Sequence, residues 1–214
     1  MTPLTTRQEL VAVAQALDAA GLMPNKSGNV SCRDDEAGFV ITPAGRPYRD
    51  LVPESLAALG FASEPSGEGV RPSSEWRMHR AIYVARPDIA AIVHTHSPRA
   101  TALACAGQGI PPFHYMIALA GGEIRCMPYA TFGTEELARR AVQGLEGRRA
   151  TLLANHGVIA VGPTLRVAQS VALEVENLAG EYLSLLAAGL QPRVLETAEL
   201  ARVIERFADY GRLD

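Results

Sequence analysis

The run IAAIVHTH, residues 89–96, limits the fold of this chain more than any other stretch. Its first five residues are all apolar, so the run lacks the alternation of a strand with one solvent-facing side. A short, continuously apolar run is typical of a strand that is buried on both faces of a sheet. The sequence therefore predicts a central strand here, and His94 and His96 lie where it ends.

Strands and helices alternate irregularly along the rest of the chain. GNVSCR and GFVITP, separated by the polar DDEA, predict a β-hairpin near the N-terminus. Helices are predicted through EWRMHRAIYVA, capped by Ser73 or Ser74, through TEELARRAVQGL, capped by Thr134, and through a long amphipathic segment that begins LRVAQSVA. This order favours an α/β fold, a mixed sheet with helices on both faces, over a regular βαβ series.

Length and composition indicate the organisation and exclude several classes of partner. The 214 residues are 48% hydrophobic and show no repeat or linker, which predicts one domain over residues 1–214. A net charge of −3 predicts no nucleic-acid partner. No apolar run reaches the roughly 18 residues of a membrane span, and the N-terminus lacks a signal-peptide pattern. Cys32, Cys105 and Cys126 are scattered, so we expect a cytoplasmic protein with no membrane partner.

Three of the five histidines are candidates for chemistry. Alternation along a strand would place His94 and His96 on one face, where two buried imidazoles are costly if charged or unpaired. A shared cation removes that cost, whereas the alternative is a pair of core histidines with satisfied hydrogen bonds. His156 favours the metal interpretation, because it lies with Asn155 and Gly157 at the break between two predicted strands. Three histidines with an open position suit zinc.

The other two histidines are weaker candidates. His79 follows Glu75 by one helical turn, which would allow a Glu–His metal pair on that helix. A partly exposed helix histidine is the more common arrangement. His114 lies in a predicted loop and could be either a site residue or an ordinary loop histidine.

Three short segments in the first third of the chain are candidates for binding an anion. SGNVS (27–31) and TPAG (42–45) offer free backbone N–H groups, and PSSE (72–75) places two hydroxyls at a helix N-terminus. Each alone could be ordinary turn or cap chemistry. Together they predict a phosphate cradle of neutral donors, without the lysine of a nucleotide-binding P-loop. Glu75, beside this cradle, is a candidate general acid or base.

These motifs occur together in one known family. SGNVS, ITPAG, PSSEWRMH, VHTHS, HYMIALAGG, PYATFGT and NHGVIAVG appear in this order and span most of the chain. The chain resembles the class II aldolase/adducin family, and within it is most similar to the aldolases that act on L-fuculose 1-phosphate. The resemblance implies a three-layer α/β/α fold with a mixed, largely antiparallel central sheet. It also implies a homotetramer whose active sites are shared between subunits.

The resemblance implies a role for each matching residue. Glu75 would be the general acid or base after substrate displaces it from the metal. Tyr115 would reach into a neighbouring subunit's site, and Tyr210, in the tail, would close over a site. The ligands of one Zn²⁺ per subunit would be His94, His96, His156 and Glu75. The substrate phosphate would be held by Gly28, Asn29, Thr42, Gly45, Ser73 and Ser74.

The implied activity is zinc-dependent retro-aldol cleavage of a ketose 1-phosphate to dihydroxyacetone phosphate and an aldehyde. The expected substrates are L-fuculose 1-phosphate or a related 5-deoxypentulose or methylthioribulose 1-phosphate. Two alternatives stay open. A sugar-phosphate 4-epimerase of the same family would cleave and re-form the same bond without releasing an aldehyde. A non-catalytic adducin-like interaction module would be expected to lose metal ligands, whereas this chain retains all four.

Overall fold

The computed structural model describes residues 3–34, 37–65 and 69–210, without the side chains of residues 208–210. Six α-helices lie in these ranges: α1 (Leu4–Ala19), α2 (Trp76–Ala85), α3 (Pro98–Cys105), α4 (Glu135–Gly144), α5 (Leu165–Ala187) and α6 (Thr197–Tyr210). Seven strands accompany them: β1 (Asn29–Asp34), β2 (Gly38–Ile41), β3 (Ala57–Gly60), β4 (Ala91–Thr95), β5 (Cys126–Met127), β6 (Ala150–Leu153) and β7 (Gly157–Gly162).

The seven strands form a single sheet in the order β3-β2-β1-β4-β7-β6-β5. All neighbours are antiparallel except the pair of β5 and β6. β1 and β2 form the predicted hairpin, with Ser31 opposite Ile41. β4 is the central strand, between β1 and β7, which explains its apolar sequence. The mixed, largely antiparallel sheet confirms the predicted fold class.

Two helical layers cover the sheet. α1, α3 and α5 pack on one face, over Val93 of β4 and Val158 of β7. α2 and α4 pack on the other face, over Ile92 and Ile159. Successive residues of β4 therefore enter opposite cores, and His94 falls on the same face as Ile92. In the described ranges, no helix combines the length and apolarity needed to cross a membrane.

The start of α2 differs from the prediction. The helix begins at Trp76, with Glu75 at the N-cap, and neither Ser73 nor Ser74 caps it through a side chain. The Ser73 hydroxyl is instead engaged by Asn29, whose Nδ2 donates to Ser73 Oγ at 2.9 Å. In α4, by contrast, Thr134 Oγ1 accepts from the backbone of the third helical residue, as predicted.

Gly157 starts β7 where this strand comes nearest to the end of β4. A Cβ added to Gly157 would lie 2.4 Å from the Thr95 carbonyl oxygen and 3.0 Å from the His96 ring. The first distance is shorter than any normal contact, so the close approach of the two chain segments requires glycine here. This approach places the neighbouring His156 beside the histidines of the β4 segment.

We expect Gly157→Ala to lower the free energy of unfolding by about 2 kcal/mol, because overpacking forces the backbone to shift. Gly107→Ala is the control, since Gly107 has φ 66° but nothing within 4 Å of an added Cβ. The strain of an alanine at this φ should cost about 1 kcal/mol. Urea unfolding measures both changes. A loss at Gly157 no larger than at Gly107 would contradict the close approach.

Candidate metal centre and anion cavity

Three imidazole rings meet at one end of the sheet. His94 belongs to β4, His96 follows its last residue, and His156 lies in the turn between β6 and β7. The ring centroids are 4.9, 4.9 and 5.0 Å apart, and the interplanar angles are 71°, 80° and 84°. The prediction extended the strand through His96, whereas β4 ends at Thr95. The three rings still converge, as a tripod of nearly perpendicular planes.

The carboxylate of Glu75 completes a cluster of four residues. Its Oε2 lies 3.0 Å from His94 Nε2, and its Oε1 lies 3.1 Å from His156 Nε2. The potential ligand atoms of Glu75, His94, His96 and His156 all lie within 4.8 Å of one another. Glu75 is 6% exposed, so this charge is held away from bulk water. The carboxylate therefore depends on its protein neighbours for stabilisation.

The polar atoms of this cluster fit a bound divalent cation. His94 Nδ1 lies 2.9 Å from the Val158 carbonyl, and a hydrogen bond there leaves the Nε2 lone pair facing the cluster. His96 Nε2 lies 3.1 Å from His94 Nε2, so a proton or a cation must separate their lone pairs. Glu75 Oε1 is buried and lies 3.1 Å from His156 Nε2, so these two atoms also need a proton or a cation between them. A shared cation would satisfy all of these atoms, and three histidines with a carboxylate are typical zinc ligands.

Protonation in the cluster follows from burial and from the neighbouring charges. Burial opposes ionisation of Glu75, but the charge of His94 and hydrogen bonds from His156 and His94 prevail and lower its pKa well below the usual range. Burial lowers the pKa of His94, but the Glu75 charge prevails and raises it. Burial, with the charges of His94 and His156, lowers the pKa of His96 to about 3. A proton on His94 and a cation in the cluster are therefore alternative ways to balance Glu75.

A cavity of about 330 Å³ lies beside the cluster, and Glu75, His96 and His156 line it. The structure brings five of the six predicted phosphate-binding residues into this lining: Gly28, Asn29, Gly45, Ser73 and Ser74. The sixth, Thr42, is buried, and its Oγ1 accepts a hydrogen bond from the backbone N–H of Val30 at 3.2 Å. Thr42 therefore ties the end of the hairpin together next to the cavity residues.

The cavity also contains residues that sequence reasoning missed. Lys26 lines it, which corrects the expectation of an entirely neutral cradle. Asn25 and Lys26 have φ values of 56° and 65°, a conformation that short sequence patterns do not reveal. Tyr129 and Phe132, from PYATFGT, are 55% and 64% exposed and form an aromatic part of the lining. Asn155, with φ 55°, also lines the cavity.

His79 is not part of the metal cluster. It is completely buried, which corrects the expectation of a partly exposed helix histidine. Its Nε2 lies 2.5 Å from Asn29 Oδ1 and its Nδ1 lies 2.6 Å from Ser31 Oγ, so both ring nitrogens are occupied. Burial lowers the pKa of His79 to about 3. His114 has a local role, since its Nδ1 accepts from the backbone N–H of Met116 at 3.2 Å.

The metal cluster includes neither of the two predicted tyrosines among its described residues. Tyr115 begins a short 3₁₀ helix, Tyr115–Ala120, and is 53% exposed. Its ring stacks on Phe207 of α6, with 6.3 Å between centroids and 22° between planes. It is not among the described residues that line the cavity of its own chain. Tyr210 is the last residue of α6, and its side chain lies outside the described residues.

Comparisons with known proteins identify the family of this chain. The 5-methylthioribulose-1-phosphate/5-deoxyribulose-1-phosphate aldolase of Rhodospirillum rubrum is 46% identical over 209 residues, covering 97% of this chain and 93% of that protein. The L-fuculose phosphate aldolase of Escherichia coli strain K12 is 43% identical over 205 residues, covering 95% and 94%. A solved structure of L-fuculose 1-phosphate aldolase has a TM-score of 0.92 at 37% identity, covering 97% and 98%. Residues 8–183 match the family described as Class II Aldolase and Adducin N-terminal domain, and the chain therefore belongs to this family.

Proposed function

We propose that this protein catalyses the reversible cleavage of a ketose 1-phosphate to dihydroxyacetone phosphate and an aldehyde. The proposal rests on one observation: three residues belong both to the metal cluster and to the lining of the anion cavity, namely Glu75, His96 and His156. A substrate phosphate in the cavity would hold the reacting carbons next to the cluster. The retention of all four candidate ligands argues against a non-catalytic interaction module.

The phosphate-binding half of the proposed site uses neutral donors and one cation. The proposed contacts in the cavity lining are Gly28, Asn29, Gly45, Ser73 and Ser74, and Lys26 adds a positive charge to the same cavity. Thr42 would support them from its buried position at the end of the hairpin. Binding energy from this remote, non-reacting group can then be used for orientation at the reacting carbons. Tyr129 and Phe132 offer an apolar surface that suits a small aldehyde with a methyl or methylthio end. L-fuculose, 5-deoxypentulose and methylthioribulose 1-phosphates share the same phosphate-bearing half.

The proposed ligands of one Zn²⁺ per subunit are His94, His96, His156 and Glu75. When bound there, zinc supplies Lewis-acid stabilisation of the negative charge that develops on the substrate oxygens. In the condensation direction, Glu75 takes a proton from C3 of dihydroxyacetone phosphate, and the C3 electron pair forms the bond to the aldehyde carbon. Tyr115 of a neighbouring subunit donates a proton to the aldehyde oxygen, and cleavage reverses each step.

The proposed assembly is a homotetramer with shared sites, in which one domain spans residues 1–214. The exposure of Tyr115 and its absence from the described lining of its own cavity support a role at a neighbour's site. Closure of a site by Tyr210 stays a prediction. We place the enzyme in the cytoplasm, where reducing conditions would keep Cys32, Cys105 and Cys126 as the free thiols observed.

Release of dihydroxyacetone phosphate from a panel of ketose 1-phosphates tests the proposed activity. We expect cleavage that a chelator abolishes and zinc restores, because the substrate oxygens need a cation. The unphosphorylated ketoses are the control and should react far more slowly. Turnover of a phosphoketose without release of an aldehyde would indicate a 4-epimerase. Full activity in metal-free protein would contradict the proposed mechanism.

Glu75→Gln should lower the turnover number by about 10²-fold or more, because the amide cannot exchange a proton with carbon. The fold should persist, since the amide can still accept the hydrogen bond from Asn29 Nδ2. The control is Glu54→Gln, because Glu54 is an exposed glutamate in the 3₁₀ helix Pro53–Ser55. Steady-state kinetics and melting temperature are measured together. A turnover within about threefold of the unmodified enzyme would move the acid/base role to another residue.

Mixing of two inactive variants tests whether Tyr115 acts across a subunit interface. Glu75→Gln and Tyr115→Phe oligomers should each be nearly inactive. If the two residues come from adjacent subunits of a ring, random equal mixing leaves about a quarter of the sites with both residues intact. If both residues came from one chain, every site in a mixed oligomer would lack one of the two functional side chains, and mixing would restore no activity. Absence of recovered activity, with subunit exchange verified by mass spectrometry, would place Tyr115 elsewhere.

A further inference from the structure

A line of buried hydrogen bonds connects Glu75 to Tyr83 of α2. Asn29 Nδ2 lies 3.0 Å from Glu75 Oε2, and Asn29 Oδ1 lies 2.5 Å from His79 Nε2. His79 Nδ1 lies 2.6 Å from Ser31 Oγ, which lies 2.8 Å from the Tyr83 hydroxyl. All five residues are at most 6% exposed, so water does not compete for these contacts. Asn29 and Ser31 are alternate residues of β1, on the face that α2 covers.

The direction of each hydrogen bond in this line follows from the chemistry of its ends. A carboxylate only accepts, so Asn29 must present its amide NH₂ group to Glu75. Its Oδ1 therefore faces His79, whose Nε2 must carry the proton. A neutral imidazole has one N–H, so Nδ1 of His79 accepts from the hydroxyl of Ser31. The hydroxyl of Tyr83 then donates to Ser31 Oγ.

The same amide also determines the orientation of the Ser73 hydroxyl. Ser73 Oγ accepts from Asn29 Nδ2 at 2.9 Å and from the backbone N–H of Glu75 at 3.4 Å. A hydroxyl oxygen has two lone pairs, so both are used. The proton of Ser73 is then free to donate into the cavity that this residue lines.

We infer that His79 is a positioning residue that fixes the amide of Asn29, and thereby orients both the Glu75 carboxylate and the Ser73 hydroxyl. The inference rests on the proposed function, in which Glu75 serves the reacting carbons and Ser73 serves the phosphate. Rotation of the Asn29 amide by half a turn would place Oδ1 against the Glu75 carboxylate. Ser73 would then donate to Asn29 instead of to the anion. His79 excludes this second orientation. The orientations of the Glu75 carboxylate and of the Ser73 hydroxyl therefore both depend on the same Asn29 amide.

Two amide substitutions of different length test the inference. In His79→Gln the side-chain NH₂ can reach the position of imidazole Nε2 and donate to Asn29, whereas in His79→Asn it reaches only the position of Nδ1. We expect His79→Asn to weaken the binding of inorganic phosphate to the zinc-loaded protein by about tenfold and to lower turnover by a similar factor. His79→Gln should stay within about 1.5-fold of the unmodified protein in both quantities. Titration calorimetry and steady-state kinetics provide these measurements.

Additional variants separate positioning from general destabilisation. Val161→Ala truncates a buried side chain of the same core and should lower the melting temperature without changing phosphate affinity. Ser31→Ala removes the donor to His79 Nδ1 and should weaken phosphate binding by about threefold, which provides a test even if His79→Asn does not fold.

Unchanged phosphate affinity in Ser31→Ala and in folded His79→Asn would overturn the inference. Equal losses of phosphate affinity and turnover in His79→Asn and His79→Gln would also overturn it, because the position of the side-chain NH₂ group would then not matter. Failure of the unmodified protein to bind phosphate or to release dihydroxyacetone phosphate would count against the proposed function instead.

Discussion

The burial of one carboxylate among three imidazoles is the interaction on which this site depends. An ionised carboxylate held away from water costs several kcal/mol unless charged or hydrogen-bonding groups surround it. Glu75 meets this requirement through His94, His156 and Asn29. These residues come from the segment before α2, from β4, from the β6–β7 turn and from β1. The sheet order β1-β4-β7 brings them together, with Asn29 directly opposite His94.

Local periodicity and residue type were sufficient to predict the layers of the fold and a set of three candidate histidines, whereas the family resemblance was needed to add Glu75 to the metal cluster. Continuous apolar character identified β4, and the HxH spacing identified His94 and His96. The network of His79 could not be predicted in this way, since Asn29 is 50 residues away and their contact exists only after β1 and α2 pack. Lys26 was missed for another reason. Its φ of 65° lies in the left-handed region, which lysine adopts only rarely, so the residue type gave no signal of this conformation.

The missing cap of α2 follows from the same competition for Ser73. A serine before a helix usually accepts from the first backbone N–H groups and satisfies them. Here Asn29 donates to Ser73 Oγ at 2.9 Å, whereas the Glu75 N–H is 3.4 Å away. Backbone carbonyls satisfy the helix start instead, since the Trp76 N–H donates to the Ser73 carbonyl and the Met78 N–H to the Glu75 carbonyl. The partial positive charge of the helix N-terminus still lies beside the cavity that Ser73, Ser74 and Glu75 line. The Ser73 hydroxyl therefore serves mainly the Asn29 amide rather than the helix start.

Charge balance explains why an anion could bind beside a buried carboxylate. A phosphate monoester carries a charge of about −2 near neutral pH and would repel Glu75 across the shared cavity wall. Zinc bound by the histidines would compensate for most of this charge, but a cradle of neutral donors would still leave the occupied site negative. Lys26 and the N-terminus of α2 supply the remaining positive charge. The lysine lies on the phosphate side, where it can offset the anion without competing with the cation for Glu75. With a neutral residue at position 26, only the helix dipole and the backbone N–H groups would offset the remaining negative charge.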